Sequence, residues 1–280
     1  MSTKVALITG GASGMGLAVS QSLAARGWKL AILDRNPTPT GEQTQTTGKS
    51  DSIFIEVDVS DFKALGNAFV RAWEHYGRLD FVFANAGIID RQSFYAVQQS
   101  DSAGLPPPLN MDVLKVDLDA VISTCYLAQH FFRKNKNKNT NSAAGGDDVG
   151  GGGGGSIIIT ASIGSFYPTA DLPLYSAAKH GCVGFMRSIA GRLMKEKIRV
   201  NCICPSSVKT SLLSQDAWDA FPTELDTPIS KIVEVVNLVL DDDTMYGQAI
   251  EIMMQDHQSR DPIPFGNEKI KAIWEVENQV

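Results

Sequence analysis

The chain has 280 residues and a formal net charge of −6, from 25 basic and 31 acidic side chains. This balance excludes a protein that binds nucleic acid mainly through a basic surface. No stretch approaches about 18 uninterrupted apolar residues, so we expect no membrane partner and no signal peptide. The four cysteines and four histidines are dispersed, which favours buried thiols in a reducing, cytoplasmic compartment and argues against a protein-built metal site.

In chain order, short apolar or β-branched runs alternate with segments of helical spacing. Strands are predicted at residues 4–9, 29–33, 52–57, 79–84, 156–160, 199–203 and 248–253. Long helices are predicted at 112–132 and 174–194, and a further helix at 232–240. Shorter helical patterns follow the first and third strands. The alternation predicts right-handed βαβ units in one α/β domain, with a seven-stranded parallel sheet flanked by helices.

Two stretches interrupt this alternation. Residues 98–108 contain three consecutive prolines, and residues 134–155 are rich in Asn, Lys and Gly. Because 134–155 lies between a helix and a strand of one continuing series, we interpret it as a flexible surface insertion within a single domain spanning 1–280. A tail begins at about residue 255; it either covers the substrate pocket or a neighbouring subunit, or it is loosely attached.

A glycine-rich loop, TGGASGMG, follows the first strand and precedes a helical segment. Glycines at Gly10, Gly14 and Gly16 permit a tight turn, close approach of the backbone to a pyrophosphate, and close packing of the helix on the strand. Amides at the start of the helix face such an anion. The loop is therefore a candidate phosphate site, and it includes Ser13 and Met15.

Asp34 supports a dinucleotide from an independent position, the end of the second strand. A carboxylate there accepts hydrogen bonds from an adenosine ribose diol and repels a 2′-phosphate, which favours NAD over NADP. The adjacent Arg35 softens that discrimination, so NADP stays open, and the alternative for Asp34 is a simple strand-end cap. Further cofactor-binding candidates follow the third and fourth strands: Asp58 and Val59 at the adenine edge, and Asn85, Ala86 and Gly87.

The stretch YSAAK places Tyr175 and Lys179 at positions i and i+4 of a helix, on one face and about 5–6 Å apart. A free tyrosine has a pKa of about 10, so a tyrosine base near neutrality needs about 4 kcal/mol of phenolate stabilisation. A neighbouring ammonium and an oxidised nicotinamide can supply much of it. Ser162, at the end of the fifth strand, can hold a substrate oxygen while Tyr175 moves the proton.

The order TGxxxGxG, Asp34, NAG, Ser162 and YxxxK resembles the classical type of the short-chain dehydrogenase/reductase family over residues 4–253. Within the family the chain looks most similar to 15-hydroxyprostaglandin-dehydrogenase-like members and to fungal secondary-metabolism reductases. The resemblance implies a Rossmann-type, doubly wound fold. It also implies a homodimer or homotetramer, since relatives commonly pair their two long helices across a two-fold axis.

By the same resemblance, Tyr175 is the general acid/base, Lys179 binds the nicotinamide ribose and lowers the pKa of the tyrosine, and Ser162 positions the carbonyl or alcohol. The segment 205–210 is implied to lie beside the nicotinamide. Cofactor contacts are expected there from Pro205, Val208 and Thr210.

Two positions depart from the family pattern. Where the family usually has an Asn that helps hold a proton-relaying water, this chain has Asp117, which we include as a candidate catalytic residue. A carboxylate can hold water too, but it adds charge near Lys179. The usual Pro-Gly is Pro205-Ser206, which predicts a less permissive turn beside the nicotinamide.

The substrate end is expected beyond the carboxyl ends of the strands. Candidate lining residues there are mostly apolar or aromatic, which favours a lipophilic alcohol or ketone over a sugar or a charged acid. They are Ile88, Ile89, Phe94, Phe166, Tyr167, Leu212, Leu213, Trp218 and Phe221. The alternative for this set is ordinary packing of loops.

These features predict an oxidoreductase that transfers a hydride between NAD(H) and the secondary alcohol or ketone of a lipophilic small molecule. Two alternatives stay open. The scaffold serves biosynthesis by reducing an imine or setting up a cyclisation, or the chain binds a dinucleotide without catalysis.

Overall fold

A computed structural model describes residues 3–36, 51–135 and 154–277, and these parts of the chain share one eight-stranded sheet. The strand order is β3-β2-β1-β4-β5-β6-β7-β8. In chain order the strands are β1 Val5–Thr9, β2 Lys29–Asp34, β3 Ser52–Glu56, β4 Phe81–Ala84, β5 Gly155–Thr160, β6 Ile198–Pro205, β7 Ala249–Met253 and β8 Asp256–Ser259. Strands β1 to β7 pair in parallel, as predicted.

Strand β8 is an addition to the seven predicted strands. It pairs antiparallel with β7 through a two-residue turn in which Met254 has a φ of 52°. All four of its residues are exposed and polar, so no period-2 apolar pattern marks it in the sequence. The tail predicted from about residue 255 therefore begins as a sheet edge.

The helices are α1 Gly14–Ala25, α2 Phe62–Tyr76, α3 Asp112–Leu114, α4 Ala120–Lys134, α5 Pro173–Met194, α6 Gln215–Asp219, α7 Ile229–Asp241 and α8 Glu268–Glu277. A π-helical turn, Lys115–Asp119, joins α3 to α4 within the single long helix that the spacing predicts. In the described residues, no helix is both apolar and long enough to cross a membrane.

Both faces of the sheet are buried. Along β1, Val5 and Leu7 join the core beneath α2, α4 and α5, whereas Ala6 and Ile8 join the core beneath α1 and α7. This alternation explains why the central strands are continuous apolar runs. All four cysteines are buried and free.

Most of the predicted insertion, residues 136–153, lies outside the described residues. Its predicted ends are ordered elements, since α4 runs to Lys134 and β5 begins at Gly155. A Cβ added to Gly155 would lie 2.4 Å from the Phe132 ring, and one added to Gly154 would lie 2.7 Å from the Lys197 carbonyl oxygen. These two glycines are therefore required by close packing and do not belong to a loose loop.

The strand order reverses between β1 and β4, which lie side by side at the centre of the sheet. In open α/β sheets this reversal leaves a crevice at the carboxyl ends of the strands, where ligands bind. The glycine loop after β1 and the segment after β4 meet at this crevice.

Candidate active site

A cavity of about 570 Å³ opens at that crevice, a volume in the ordinary range for ligand sites. It brings together almost every candidate catalytic and cofactor-binding residue of the sequence, from eight separate stretches of chain. Its lining includes Gly10, Ser13, Gly14, Met15, Asp34, Arg35, Asp58, Val59, Asn85, Ala86, Gly87, Asp117, Ser162, Tyr175, Lys179, Pro205, Val208 and Thr210. Among the candidate catalytic and cofactor-binding residues, Gly16 alone does not line it, and this residue is buried in the first turn of α1.

The glycine loop is held by contacts that leave no room for a side chain. A Cβ added to Gly16 would lie 2.2 Å from the Gly10 carbonyl oxygen, and one added to Gly10 would lie 2.9 Å from the Cα of Ala86. Gly10 also has a φ of +63°, in the region that favours glycine. The Ser13 side chain makes no capping bond at the start of α1. Bare backbone and an uncapped helix start suit a pyrophosphate.

Asp34 ends β2, and backbone amides on two sides fix its carboxylate. One oxygen accepts from the Ala12 N–H at 3.0 Å, within the glycine loop, and the other accepts from the Asn36 N–H at 3.0 Å. A carboxylate oxygen carries two lone pairs, so each retains acceptor capacity toward the cavity. Asp34 thus ties the loop to β2, which is more than a strand-end cap, and its charge fits a ribose diol.

Asp58 lies at the same end of the cavity, beyond β3. Its Oδ1 accepts from the Ser60 hydroxyl at 2.7 Å and from the Ser60 N–H at 2.9 Å. These hydrogen bonds from Ser60 hold the pKa of the Asp58 carboxyl below its usual value.

Asn85 ties the ends of three strands together. Its Nδ2 donates to the carbonyl oxygens of Thr9 and Gly10, at 3.2 and 3.3 Å, and its Oδ1 accepts from the Thr160 hydroxyl at 3.1 Å. The Thr9 hydroxyl oxygen in turn accepts from the N–H groups of Asn85 and Ala86. The two threonines did not stand out in the sequence, because each looks like an ordinary β-branched strand residue.

Tyr175 and Lys179 share one face of α5, as their spacing predicts. The Lys179 Nζ lies 5.4 Å from the centre of the Tyr175 ring. Ser162 lies nearby, since a Cβ at Gly164 would be 3.4 Å from the Ser162 Oγ and 3.6 Å from the Tyr175 Cε1. A hydroxyl, a phenol and an ammonium therefore lie near one another in the lining of the cavity.

The position of Ser162 differs in one respect from the sequence prediction. Strand β5 ends at Thr160, and Ser162 caps the 3₁₀ turn Ile163–Ser165 that follows, with its Oγ accepting from the Gly164 N–H at 3.0 Å. Ser165, which the sequence analysis missed, fixes this turn to α5: its hydroxyl donates to the Lys179 carbonyl oxygen at 2.7 Å and accepts from the Ser162 N–H at 3.3 Å. The capping-box spacing S-x-x-S was the available signal.

Asp117 and Lys179 form a buried ion pair. Their side chains are 0% and 3% exposed, and Oδ2 and Nζ lie 3.0 Å apart. The Asp117 Oδ1 accepts from the Ile88 N–H at 2.8 Å, and the Lys179 Nζ also donates to the Thr160 carbonyl oxygen at 2.9 Å. The π-helical turn carries Asp117, and such turns are frequent at functional sites.

Burial and pairing act on this pair in opposite directions. Burial raises the pKa of the Asp117 carboxyl above its ordinary value, against the opposing effects of the Lys179 charge and the Ile88 amide. For Lys179, burial alone would lower the pKa, but the charges of Asp117 and Tyr175 raise it above the ordinary lysine value. Lys179 therefore remains an ammonium through the neutral range.

The segment after β6 completes the cavity without a glycine. Ser206 does not have a positive φ, so the turn accepts a side chain, and its hydroxyl lies 2.7 Å from that of Thr227. The indole N–H of Trp218 donates to the Thr210 carbonyl oxygen at 2.9 Å, which attaches α6 to the segment predicted to lie beside the nicotinamide.

The candidate substrate residues divide into two groups. Ile88, Ile89, Leu212, Leu213 and Trp218 line the cavity. The other four, Phe94, Phe166, Tyr167 and Phe221, do not line it, which corrects the sequence prediction. Phe166 packs on the core and Tyr167 accepts a hydrogen bond from Arg260, whereas Phe94 is 55% exposed.

Comparison with known proteins places this geometry in a family. The family model described as short chain dehydrogenase matches residues 4–219. The short-chain dehydrogenase/reductase prx7 of Penicillium rubens is 35% identical, over 95% of this chain and 98% of its own length. The 15-hydroxyprostaglandin dehydrogenase [NAD(+)] of Rattus norvegicus is 32% identical, over 75% of this chain and 70% of its own.

Solved structures show the same fold. Levodione reductase superposes with a TM-score of 0.71 at 24% identity, over 90% of this chain and 97% of its own. The 3-ketoacyl-(acyl-carrier-protein) reductase of Brucella melitensis, complexed with NADH, gives 0.71 at 24% identity, over 89% and 96%. The family match and the identity to prx7 confirm the resemblance predicted from the motifs: this chain belongs to the short-chain dehydrogenase/reductase family.

Proposed function

We propose that the chain is an NAD-dependent oxidoreductase that transfers a hydride between NAD(H) and the secondary alcohol or ketone of a lipophilic small molecule. The observation that carries the proposal is the convergence of Ser162, Tyr175 and Lys179 on one cavity whose other end holds the glycine loop and Asp34. Two similar proteins support the choice of cofactor. The 15-hydroxyprostaglandin dehydrogenase relative is described with NAD(+), and the 3-ketoacyl-(acyl-carrier-protein) reductase structure is complexed with NADH.

The residues of the cavity fit a dinucleotide along its length. The glycine loop would hold the pyrophosphate, Asp34 the adenosine ribose, Asp58 and Val59 the adenine edge, and Val208 and Thr210 the nicotinamide side. When bound, the nicotinamide supplies a carbon that accepts or gives up a hydride.

Tyr175 has the role of general acid/base at its phenolic oxygen. In alcohol oxidation it takes the hydroxyl proton, and in ketone reduction it returns a proton to the same oxygen. The Ser162 hydroxyl holds that oxygen by a hydrogen bond. The Lys179 ammonium lies 5.4 Å from the Tyr175 ring centre, beside the group that moves the proton.

Asp117 supports this centre through Lys179. The carboxylate keeps the lysine side chain charged in a place where burial alone would favour the neutral amine. It also fixes Ile88, an apolar wall residue, through the hydrogen bond to its N–H. Asp117 stands where the family usually has an Asn, and it adds a negative charge beside Lys179.

The walls support a lipophilic substrate. Five apolar side chains border the cavity at its substrate end: Ile88, Ile89, Leu212, Leu213 and Trp218. Such a wall binds an apolar skeleton while Ser162 and Tyr175 fix the single reacting oxygen.

The test is oxidation of a panel of lipophilic secondary alcohols (1-phenylethanol, 2-octanol and a 15-hydroxyprostaglandin) with NAD⁺ or NADP⁺, followed by absorbance of the reduced cofactor. Turnover is expected with NAD⁺, and Tyr175→Phe should reduce it at least about 10³-fold, within the range of acid/base contributions, with NADH affinity unchanged. Tyr167→Phe is the matched control, because that hydroxyl bonds Arg260 outside the cavity. Full turnover in Tyr175→Phe would contradict the proposal.

We also propose a homodimer or homotetramer that pairs α4 and α5. Tyr126 on α4 is 62% exposed despite its aromatic ring, as expected for a residue at a subunit contact. Sedimentation of the wild-type chain should give at least a dimer, and Tyr126→Glu should shift it toward monomer.

A further inference from the structure

A carboxylate from a distant loop holds the first turn of α5, the helix that carries Tyr175. Asp90, on the segment after β4, accepts hydrogen bonds from the backbone N–H groups of Leu174 at 3.1 Å and of Tyr175 at 2.8 Å. The two segments are about 85 residues apart in sequence. One side chain therefore bonds directly to the backbone of the proposed acid/base residue.

This contact accounts for the N–H groups that the helix start leaves without a partner. The first residue, Pro173, has no N–H, and the Ser176 N–H donates to the Leu172 carbonyl oxygen. Leu172, at the N-cap position, makes no side-chain capping bond. Asp90 thus serves the two remaining amides of the turn, which would otherwise have no helical partner.

Asp90 also links the apolar wall to the catalytic helix. Its neighbours Ile89 and Arg91 line the cavity, whereas Asp90 does not. Two residues earlier, the Ile88 N–H donates to Asp117, which pairs with Lys179. The segment 88–90 is therefore fixed at both ends by carboxylates, one bound to the side of α5 and one to its first turn.

We propose that Asp90 is a positioning residue for Tyr175: by capping α5 from the loop after β4, it sets the position of the phenolic oxygen relative to Ser162 and the apolar wall. This role rests on the proposed function, in which Tyr175 moves the proton. A displacement of about 1 Å at a reacting group lowers the rate about 10²-fold, so a loosened first turn should reduce kcat by that order.

The first test is Asp90→Ala and Asp90→Asn, assayed with NAD⁺ and the panel alcohol that the wild type oxidises fastest. Asp90→Ala should lower kcat about 10²-fold while the Kd for NADH stays within about twofold. Asp90→Asn keeps one acceptor oxygen of two, so it should restore part of the loss, to within about tenfold of the wild-type rate. The rate of hydrogen exchange at the Leu174 and Tyr175 amides should rise most in Asp90→Ala and less in Asp90→Asn.

The matched control is Asp61→Ala. Asp61 caps α2 in the same manner, its Oδ1 accepting from the Ala64 N–H at 3.0 Å, but α2 carries none of the candidate site residues. The control should lower Tm by an amount comparable with Asp90→Ala and leave kcat unchanged. A general loss of stability would lower both rates alike.

The outcomes separate the two claims. Wild-type kcat in Asp90→Ala, or an equal loss in Asp61→Ala, overturns the positioning role. If Asp90→Ala does not fold, Asp90→Asn decides the question. A kcat and an amide exchange rate equal to those of the wild type in that variant overturn the positioning role. Turnover by Tyr175→Phe overturns the proposed function instead, whereas an inactive Tyr175→Phe beside a fully active Asp90→Ala removes the role of Asp90 alone.

Discussion

The two ends of the cavity are built on different physical constraints. At the nucleotide end, the glycine loop is defined by space: a Cβ on Gly16 would lie 2.2 Å from a carbonyl oxygen. At the catalytic end, Asp117 and Lys179 are defined by charge, as a buried pair 3.0 Å apart with further bonds to two backbone groups. At the nucleotide end only glycine fits the available space. At the catalytic end, a residue at position 117 must balance the Lys179 charge and accept the hydrogen bond from the Ile88 N–H.

The largest expected effect is at the nucleotide end. Gly16→Ala places a methyl group against the Gly10 carbonyl. Because the carbonyl carbon and oxygen are backbone atoms, the loop itself must move to make room. We expect NADH binding to be lost and the free energy of unfolding to fall by about 3 kcal/mol, as for overpacking in a dense interior. Fluorescence titration and chemical denaturation measure the two losses.

Gly66→Ala is the matched control for that substitution. Gly66 lies within α2 and a Cβ there meets nothing within 4 Å. The change should stabilise the protein by up to about 1 kcal/mol, because alanine favours the helix, and NADH affinity should be unchanged. Equal changes of stability and NADH affinity in Gly16→Ala and Gly66→Ala would contradict the claim that the loop has no room for a side chain at Gly16.

At the catalytic end, Asp117→Asn should change the geometry of the site little, but it should destabilise the protein because it removes a buried charge. The amide can still accept from the Ile88 N–H, but it leaves the buried Lys179 ammonium without a counter-charge. We expect the free energy of unfolding to fall by about 3 kcal/mol at neutral pH. Denaturation of both proteins across a pH series measures the difference.

The sign of the pH dependence follows from the raised pKa of Lys179. The stability that Lys179 gains from its partner is fully present below the lysine pKa of the unfolded chain, about 10.4, and is lost as the pH rises through the raised folded value. The deficit of Asp117→Asn should therefore be fully present at neutral pH and shrink as the pH rises above about 10.4. A pH-independent deficit would contradict the ion pair.

Cofactor choice gives a smaller expected effect. Asp34→Ser removes the charge that would face a 2′-phosphate but retains an oxygen near the Ala12 amide. The ratio of NADP⁺ to NAD⁺ affinity should rise at least about tenfold, since juxtaposed like charges cost over a kcal/mol. Asp58→Asn removes one charge at the same end and should change the ratio less. If the two shifts are equal, net charge and not position decides the preference.

The smallest effect is expected at the apolar wall. Ile89→Ala should raise KM for the best panel alcohol about fivefold, as expected for removing apolar contact from a pocket, without changing the Kd for NADH. Phe94→Ala, on the same segment but exposed and outside the cavity, should leave both constants unchanged. A larger effect of Phe94→Ala would show that the wall extends over the cavity mouth.

The same contrast explains how far the sequence could predict the molecule. The parallel strands and the glycine loop were predictable because their signals are local: apolar runs of four to eight residues, and glycines whose spacing a phosphate-binding turn demands. Strand β8 was not predictable, since its polar, exposed residues pair only because the turn at Met254 brings them beside β7.

The substrate end was predicted only in part because a loop side chain has no periodicity that fixes its direction. Phe166 and Tyr167 follow Ser162 closely in sequence, yet their rings lie beneath the Arg260 guanidinium at 5.3 and 5.6 Å. Asp90 gave no signal at all, because its partners on α5 are more than 80 residues away. Contacts of this kind depend on the assembled fold.

The most direct test of the central claim is transfer of deuterium from NADH labelled at nicotinamide C4 to a ketone of the panel. Both hydrogens on C4 of the cofactor are replaced by deuterium. Mass spectrometry of the alcohol formed by the wild-type protein should then show one deuterium on the carbinol carbon. Tyr175→Phe should form almost no product. An alcohol product without deuterium at that carbon would contradict hydride transfer within this cavity.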